Sequence, residues 1–554
     1  MKRIALAQLD PIVGDVDGNV RSILEACAEA KAQGAELVVL SELIITGYPP
    51  RDLLNIAEFR QVCDAAVDRL VRELPDDLHV IFGAPRARER NGFGGRALWN
   101  SAVVARRGEI IAEIPKALLP TYDVFDERRY FEPAPEHTTR VFDLGGARVG
   151  ITICEDMWND RLFWGDARLY DRDPVAEAME QGAELIVNVS ASPYAQRKFE
   201  VRRKMVSHAA RRWGVPIVYV NAVGGNDGLL FDGHSHAFAA DGSPIVELPL
   251  FERAVRTVDL AERCALPEID PTDVLQRALV SGVRDYARKT GMSRWVIGLS
   301  GGVDSALVAA IGSLALGAEN GMALGMPSRY SSDHSVADAR ALASRLRLPF
   351  EVVPIEPAHA AYEAMLGPAL ERDPAGPGDV TWENVQARIR GATLMAWANR
   401  TGALLLTTGN KSECAVGYCT LYGDMCGGLA VIADVYKHEV YGLCRWLNDH
   451  LLDGAIPERT LTKPPSAELR PGQRDDQSLP PYDVLDPILA SLVDHERGAH
   501  ETARITGQPL ELVRNVARMV HRAEYKRQQF APSLKVSPRA WVGRDYPIAM
   551  GWRP

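Results

Sequence analysis

At 554 residues the chain is too long for one ordinary core, and a prior of roughly 150 residues per domain gives two to four domains. Apolar content of 46% with 25% charged residues is that of a soluble globular protein, and a net charge of −10 leaves no basic footprint for nucleic acid. No apolar run reaches about 18 residues, so no membrane span is expected.

The N-terminal stretch is interrupted too early, at Asp10 and Pro11, to read as a signal peptide. Eight scattered cysteines fit reduced thiols in a cytoplasmic protein. Cys414, Cys419 and Cys426 lack the close pairing of a zinc site.

In chain order, residues 2–8 read as a strand, 19–32 as a helix, and 36–40 as a buried strand ending at Ser41-Glu42. Further strands are expected at 79–83, 101–105, 148–153, 184–189 and 216–220, with helices at 174–181 and 196–213. Apolar strands buried on both faces and alternating with helices make an α/β pattern. Residues 251–260 are strand-like, and Pro267 to Pro271 then breaks the series. The expected domains are therefore 1–265 and 266–554.

The second series runs helix 272–289, strand 294–298, Gly-rich turn, helix 304–316, strand 321–326, helix 334–346, strand 350–355, helix 382–400 and strand 403–408. The segments 372–379 and 463–482 are polar and proline-rich. Long loops of this kind commonly act as functional covers, and the second is read as a candidate lid.

Three reactive residues sit in informative places. Glu42 follows the buried run Leu37-Val38-Val39-Leu40, Lys116 follows Ile114-Pro115, and Cys154 follows Gly150-Ile151-Thr152-Ile153. Strand ends are where open α/β sheets place ligands. A thiol there becomes a nucleophile when a neighbouring lysine lowers its pKa, and the lysine can also steady an oxyanion. A carboxylate can take the thiol proton and pass it to departing ammonia. Singly, such a cysteine is ordinarily a small core residue, and the other two are ordinarily surface groups. Together they meet the separate demands of amide hydrolysis through a thioester.

Residues 41–48, 115–131 and 153–158 resemble the nitrilase superfamily, which carries a Glu–Lys–Cys triad on an αββα sandwich. Residues 116–131 and Asn188-Val189-Ser190-Ala191-Ser192-Pro193-Tyr194 are similar to the glutaminase domains attached to NAD⁺ synthetases. That resemblance implies L-glutamine as substrate, held by Tyr122, Ser192 and Lys198. Glu127 is a candidate auxiliary acid. His234 and His236 suggest a metal pair, but no third ligand is evident in the sequence, so they are read as polar residues of a loop or strand.

The most specific signal is Trp295-Val296-Ile297-Gly298-Leu299-Ser300-Gly301-Gly302-Val303-Asp304-Ser305, a strand, tight turn and helix start. Paired glycines let backbone N–H groups close on phosphate oxygens at a helix N-terminus. Ser300 and Ser305 supply hydroxyls, and Asp304 can hold Mg²⁺. No Gly-Lys-Ser/Thr closes the loop, so it is not a Walker A motif.

The loop resembles that of the N-type ATP pyrophosphatases, on a Rossmann-like parallel sheet, which implies ATP contacts along Gly298, Leu299, Ser300, Gly301, Gly302, Val303, Asp304 and Ser305. The segments around Asn384, Thr408, Glu413 and Lys526 are similar to the NAD⁺ synthetase domain. By that similarity Thr408 contacts ATP, while Asn384, Glu413 and Lys526 contact deamido-NAD⁺, and Glu413 joins Asp304 around magnesium.

The resemblance thus implies ATP-dependent amidation of deamido-NAD⁺ with ammonia from glutamine, in a homo-oligomer. Two rivals are an amidotransferase for another carboxylate and a nucleotide sensor with dead sites. Pyrophosphate release from ATP with each candidate acid separates all three.

Overall fold

In strand β1 (Arg3–Gln8), Ile4 and Leu6 point to one face while Ala5 and Ala7 point to the other, and all four are buried. This period-two alternation with no polar face is what a strand covered on both sides requires. The structure, a computed structural model, describes residues 2–88, 96–373, 375, 376 and 378–552. Of the expected loop 372–379, Pro374 and Pro377 lie outside the described residues. The chain divides into the units Met1–Pro271 and Thr272–Pro554.

The first unit continues with β2 (Leu37–Val39), β3 (His79–Ala87), β4 (Leu98–Arg106), β5 (Glu109–Pro115), β6 (Val141–Leu144), β7 (Ala147–Ile153) and β8 (Leu185–Ser190). There follow β9 (Ile217–Asn221), the pair β10 (Val223–Asn226) and β11 (Leu229–Asp232), β12 (His236–Phe238), β13 (Pro244–Glu247) and β14 (Ala254–Asp259). One six-stranded sheet has the order β14-β1-β2-β3-β4-β5 and the other β13-β12-β9-β8-β7-β6.

Ile4, Leu6 and Val39 of the first sheet share a core with Val149, Ile151 and Val187 of the second. Helices Val16–Ala32 and Ala57–Glu73 cover the outer face of the first sheet through Val20, Ile23, Val67 and Leu70. Helices Pro174–Glu180 and Lys198–Trp213 cover the second through Ala178, Met205 and Val206. The layers are therefore α, β, β, α.

Helix Val16–Ala32 starts earlier than expected because the Asp15 side chain accepts from the Gly18 N–H, a cap worth about 1 kcal/mol.

The second unit carries a five-stranded, wholly parallel sheet. Its strands are β15 (Trp295–Gly298), β16 (Gly321–Gly325), β17 (Phe350–Val352), β18 (Leu404–Thr407) and β19 (Leu429–Ala430), in the order β17-β16-β15-β18-β19. The chain runs outward from β15 to β17, then returns to place β18 on the other side of β15. That reversal opens a crevice at the strand C-termini, the usual ligand position of such sheets. Strand β17 stops at Val352, short of the expected 355. Pro354 has no N–H with which to extend the ladder.

No helix among the described residues is long and apolar enough to cross a membrane.

Candidate active sites

Strand directions assemble the first site. Strand β5 runs in the same sense as β2, since β3 is parallel to β2 and the β3–β4 and β4–β5 pairs are both antiparallel. Lys116 at the end of β5 therefore comes to the same edge as Glu42 beyond β2. Lys116 Nζ donates to Glu42 Oε1 and to Glu127 Oε1, each at 2.7 Å. Asn100 on β4 donates to Glu42 Oε1 at 2.7 Å and to Glu127 Oε2 at 3.3 Å. The Ala191 N–H reaches Glu42 Oε2 at 3.1 Å, and Tyr48 OH donates to Glu127 Oε1 at 2.9 Å.

Glu42 and Lys116 are each 1% exposed, so an unpaired charge here would be costly and the pairing is obligatory. Gly83 permits the approach, because a Cβ there would lie 2.1 Å from the Leu43 nitrogen and 2.6 Å from Glu42 Cα.

Cys154 follows β7 directly, at φ 44°, in the left-handed region that non-glycine residues rarely adopt. Such strain costs about 1–3 kcal/mol and is characteristic of functional turns. Burial pushes the Cys154 thiol above its ordinary pKa and Glu42 adds to this, while Lys116 opposes. Lys116 does pull the thiol down, as expected, but burial and Glu42 outweigh it. Its charge is already shared by two carboxylates, and burial wins, so the resting sulfur keeps its proton and needs a base.

Burial alone would lower Lys116, but Glu127 and Glu42 outweigh it and hold the ammonium above its usual range. Glu127 is pushed up to about 7, first by burial, against the pull of Lys116.

The expected glutamine ligands lie around this centre. Tyr122 OH is 3.0 Å from both oxygens of Glu155, the residue after the thiol. Ser192, buried just beyond β8, donates its N–H to Asn221 Oδ1 at 2.8 Å. Lys198 Nζ donates to the Pro193 carbonyl at 3.0 Å and sits 5.3 Å from the Trp158 ring centre. Burial and then Arg202 bring Lys198 down to about 8. The sequence reading missed Asn100, Glu155 and Tyr48. A lone asparagine within an apolar strand was the available signal for Asn100.

His234 and His236 do have a carboxylate neighbour, contrary to expectation. Glu247 on β13 brings a third ligand-type atom within 4.8 Å of theirs. Arg203 grips that carboxylate with two nitrogens, and His234 Nε2 lies 2.9 Å from Glu247 Oε1. The carboxylate is thus already engaged, and the cluster is a buried polar network.

In the second unit the turn after β15 opens on a cavity of about 320 Å³ whose lining includes Gly298, Leu299, Ser300, Gly302, Val303, Asp304 and Ser305. Gly301 lies behind it, at φ +79°, where a Cβ would come within 2.3 Å of the Ser335 carbonyl oxygen. Ser300 Oγ and Ser305 Oγ are 3.1 Å apart, and the Gly302 N–H donates to Ser300 Oγ at 3.2 Å.

Asp304 Oδ1 accepts from Asn410 Nδ2 at 2.8 Å. Lys437 Nζ is 2.5 Å from Asp304 Oδ2 and 3.3 Å from Glu413 Oε1. Burial raises the Glu413 carboxyl to about 8, with Lys437 opposing and Asp304 reinforcing. Two carboxylates that share one ammonium are an all-oxygen donor pair suited to a hard divalent cation, so the residues present fit magnesium.

Thr408 and Glu413 line the same cavity, as does the stretch from Lys463 to Leu469 of the expected lid. Asn384 and Lys526 do not line it. Asn384 Oδ1 accepts from Thr420 Oγ1 at 2.8 Å, and Lys526 Nζ donates to the Gly417 and Cys419 carbonyls at 2.7 and 2.6 Å. Both brace the turn that presents Thr420 to the cavity. Lys437 was not anticipated, since a lysine opening a helix carries no motif of its own.

A cysteine, a lysine and carboxylates on an αββα sandwich, and a glycine-rich turn lining a cavity on a parallel sheet, are the arrangement of a carbon–nitrogen hydrolase joined to a nucleotide-using synthase. The carbon-nitrogen hydrolase family model matches residues 3–266 and the NAD synthase family model residues 275–530. The glutamine-dependent NAD(+) synthetase of Synechocystis sp. is 46% identical, with 100% of both chains covered. That of Rhodobacter capsulatus is 40% identical over 100% of this chain and 99% of its own.

The solved glutamine-dependent NAD⁺ synthetase of Acinetobacter baumannii, in complex with ADP, superposes with a TM-score of 0.77 at 35% identity, covering 100% of this chain and 99% of that one. The chain belongs to the glutamine-dependent NAD⁺ synthetase family.

Proposed function

We propose that the two sites divide the family's reaction between them, with Cys154, Glu42 and Lys116 releasing ammonia and the Ser300–Ser305 turn activating the acceptor acid. The Cys154 sulfur attacks the side-chain amide carbon of L-glutamine while Glu42 accepts its proton. Lys116 steadies the developing oxyanion. Glu42 returns the proton to the departing nitrogen, ammonia leaves, and a thioester remains. Glu42 then takes a proton from water, whose oxygen adds to the thioester, and glutamate leaves as the thiol is restored.

In the second unit a carboxylate oxygen of deamido-NAD⁺ attacks the α-phosphorus of ATP and pyrophosphate departs. Ammonia adds to the resulting acyl adenylate, AMP leaves and NAD⁺ is formed. Asp304 and Glu413 would hold magnesium, which supplies neutralising charge to the phosphates when bound. The start of the helix after Gly302 offers N–H groups to phosphate oxygens, while Lys437 supplies a counter-charge and Thr408 a hydroxyl. Tyr122, Ser192 and Lys198 hold glutamine. Asn384 and Lys526 act on deamido-NAD⁺ by shaping the Thr420 turn, and Glu413 meets it directly.

The observation that carries this reading is the pair of 2.7 Å contacts from Lys116 to two buried carboxylates, next to the core that Ile114 and Cys154 share. The test supplies glutamine, ATP, Mg²⁺ and deamido-NAD⁺ to purified protein. Glutamate, AMP, pyrophosphate and NAD⁺ should appear, with pyrophosphate released only when deamido-NAD⁺ is present. Formation of neither glutamate nor AMP would end the proposal. The same reading carries a cytoplasmic homo-oligomer, and a monomer in sedimentation at assay concentration would count against that assembly.

A further inference from the structure

The triad depends on the separation of two chain segments that are distant in sequence, one following Lys116 and one preceding Cys154. A single side chain joins them. Asp156, two residues after the thiol, is 1% exposed. Its Oδ1 accepts the backbone N–H groups of Ala117 at 3.1 Å and Leu118 at 2.9 Å, and its Oδ2 accepts that of Ile153 at 3.1 Å. Arg140 Nη1 lies 3.6 Å from Oδ2, and Arg140 Nε donates to Glu177 at 3.1 Å.

We propose that Asp156 is a positioning residue for glutamine hydrolysis, its carboxylate fixing the backbone after Lys116 to the backbone before Cys154 and so setting the distance between ammonium and sulfur. This rests on the reading of the first site given above. The residue type follows from the geometry. Three N–H groups and a guanidinium converge on one group, and only an ionised carboxylate offers acceptor positions on both oxygens. An asparagine could serve one segment, but it would turn an NH₂ toward the N–H of the other and leave a buried donor unpaired. The strained Cys154 turn, at φ 44°, needs such outside restraint to persist.

The test uses the full chain carrying Asp156→Asn, with glutamine kinetics, ammonium-supported NAD⁺ formation and thermal melting measured in parallel. The expected result is a fall in kcat for glutamine of about 10²-fold, with KM for glutamine and the ammonium-supported rate each changed less than about threefold. A group that merely supports the fold would not separate kcat from KM in this way.

If the asparagine variant fails to fold, Asp156→Glu takes its place. It keeps the charge beside Arg140 and displaces the carboxylate by one methylene, and the same selective loss of kcat is expected. A folded variant with kcat for glutamine within threefold of wild type would overturn the proposal, as would parallel loss of both activities with melting. If the wild-type protein itself hydrolyses no glutamine, the failure lies in the reading of the triad instead.

Discussion

Replacing Lys116 with methionine removes the one cation shared by Glu42 and Glu127 while keeping much of the side-chain volume. Two buried carboxylates, each 2.7 Å from the ammonium, then lose their partner. Breaking a buried pair in this way ordinarily costs about 3–5 kcal/mol. Here one carboxyl can take up a proton instead. Burial already holds Glu127 up at about 7 with the lysine present, and loss of the lysine's opposing pull moves it further up, toward the neutral form. The cost to folding should therefore fall toward about 1–3 kcal/mol, the range for an imperfectly paired polar group.

Catalysis has no such relief. Loss of one oxyanion-stabilising group costs about 10²–10³ in kcat, and Glu42 also loses the contact that orients it. The assay is glutamate release at saturating glutamine, with ammonium-supported NAD⁺ synthesis as the internal control. We expect glutaminase kcat to drop at least about 10²-fold, with the control within about twofold. Glutamine hydrolysis within tenfold of wild type in a folded Lys116→Met protein would refute the electrostatic role given to this lysine.

Lys198 stands at about 8 through burial and the neighbouring Arg202, so it is charged below that pH and neutral above it. If it binds the glutamine carboxylate, kcat/KM for glutamine should fall above about pH 8, and Lys198→Arg should remove that limb from the pH profile. Asp304→Ala should abolish NAD⁺ formation from either nitrogen source while sparing glutamine hydrolysis, read as AMP against glutamate. Gly301→Ala should weaken ATP-dependent pyrophosphate release at least about tenfold, because both its φ of +79° and the Ser335 carbonyl resist a Cβ.

Much of the order of strands and helices was legible because each repeats a simple period. Glu42 and Cys154 follow expected strands, and together with Lys116 they stood out as a set, through the resemblance to a Glu–Lys–Cys triad. Of their partners, only Glu127 was a candidate beforehand. Asn100 and Tyr48 acquire meaning only when β4 and the turn before Arg51 meet the short turn at Glu127–Arg129 in space.

Lys437 is similar. It begins the helix Lys437–His450, and nothing near it in sequence marks it as the counter-ion of Asp304, 133 positions away. Strand β5 carries little signal because only its last two residues are fully buried, which blurs the alternation. The helix Ala57–Glu73 buries Cys63, Ala66, Val67, Leu70 and Val71 at helical spacing, but small side chains make a faint stripe. The direction of the thiol's pKa was beyond sequence reasoning altogether, because it depends on whether burial and Glu42 outweigh a lysine already neutralised by carboxylates.

At the centre is one sulfur that frees the nitrogen from glutamine and plays no part in fixing it. The direct measurement is NAD⁺ formation by Cys154→Ala with glutamine and with ammonium as alternative donors. Glutamine-supported synthesis should fall by about 10³ or more, since the nucleophile is gone, while the ammonium-supported rate stays within about twofold of wild type. Equal loss with both donors in a folded protein, or undiminished synthesis from glutamine, would contradict the account.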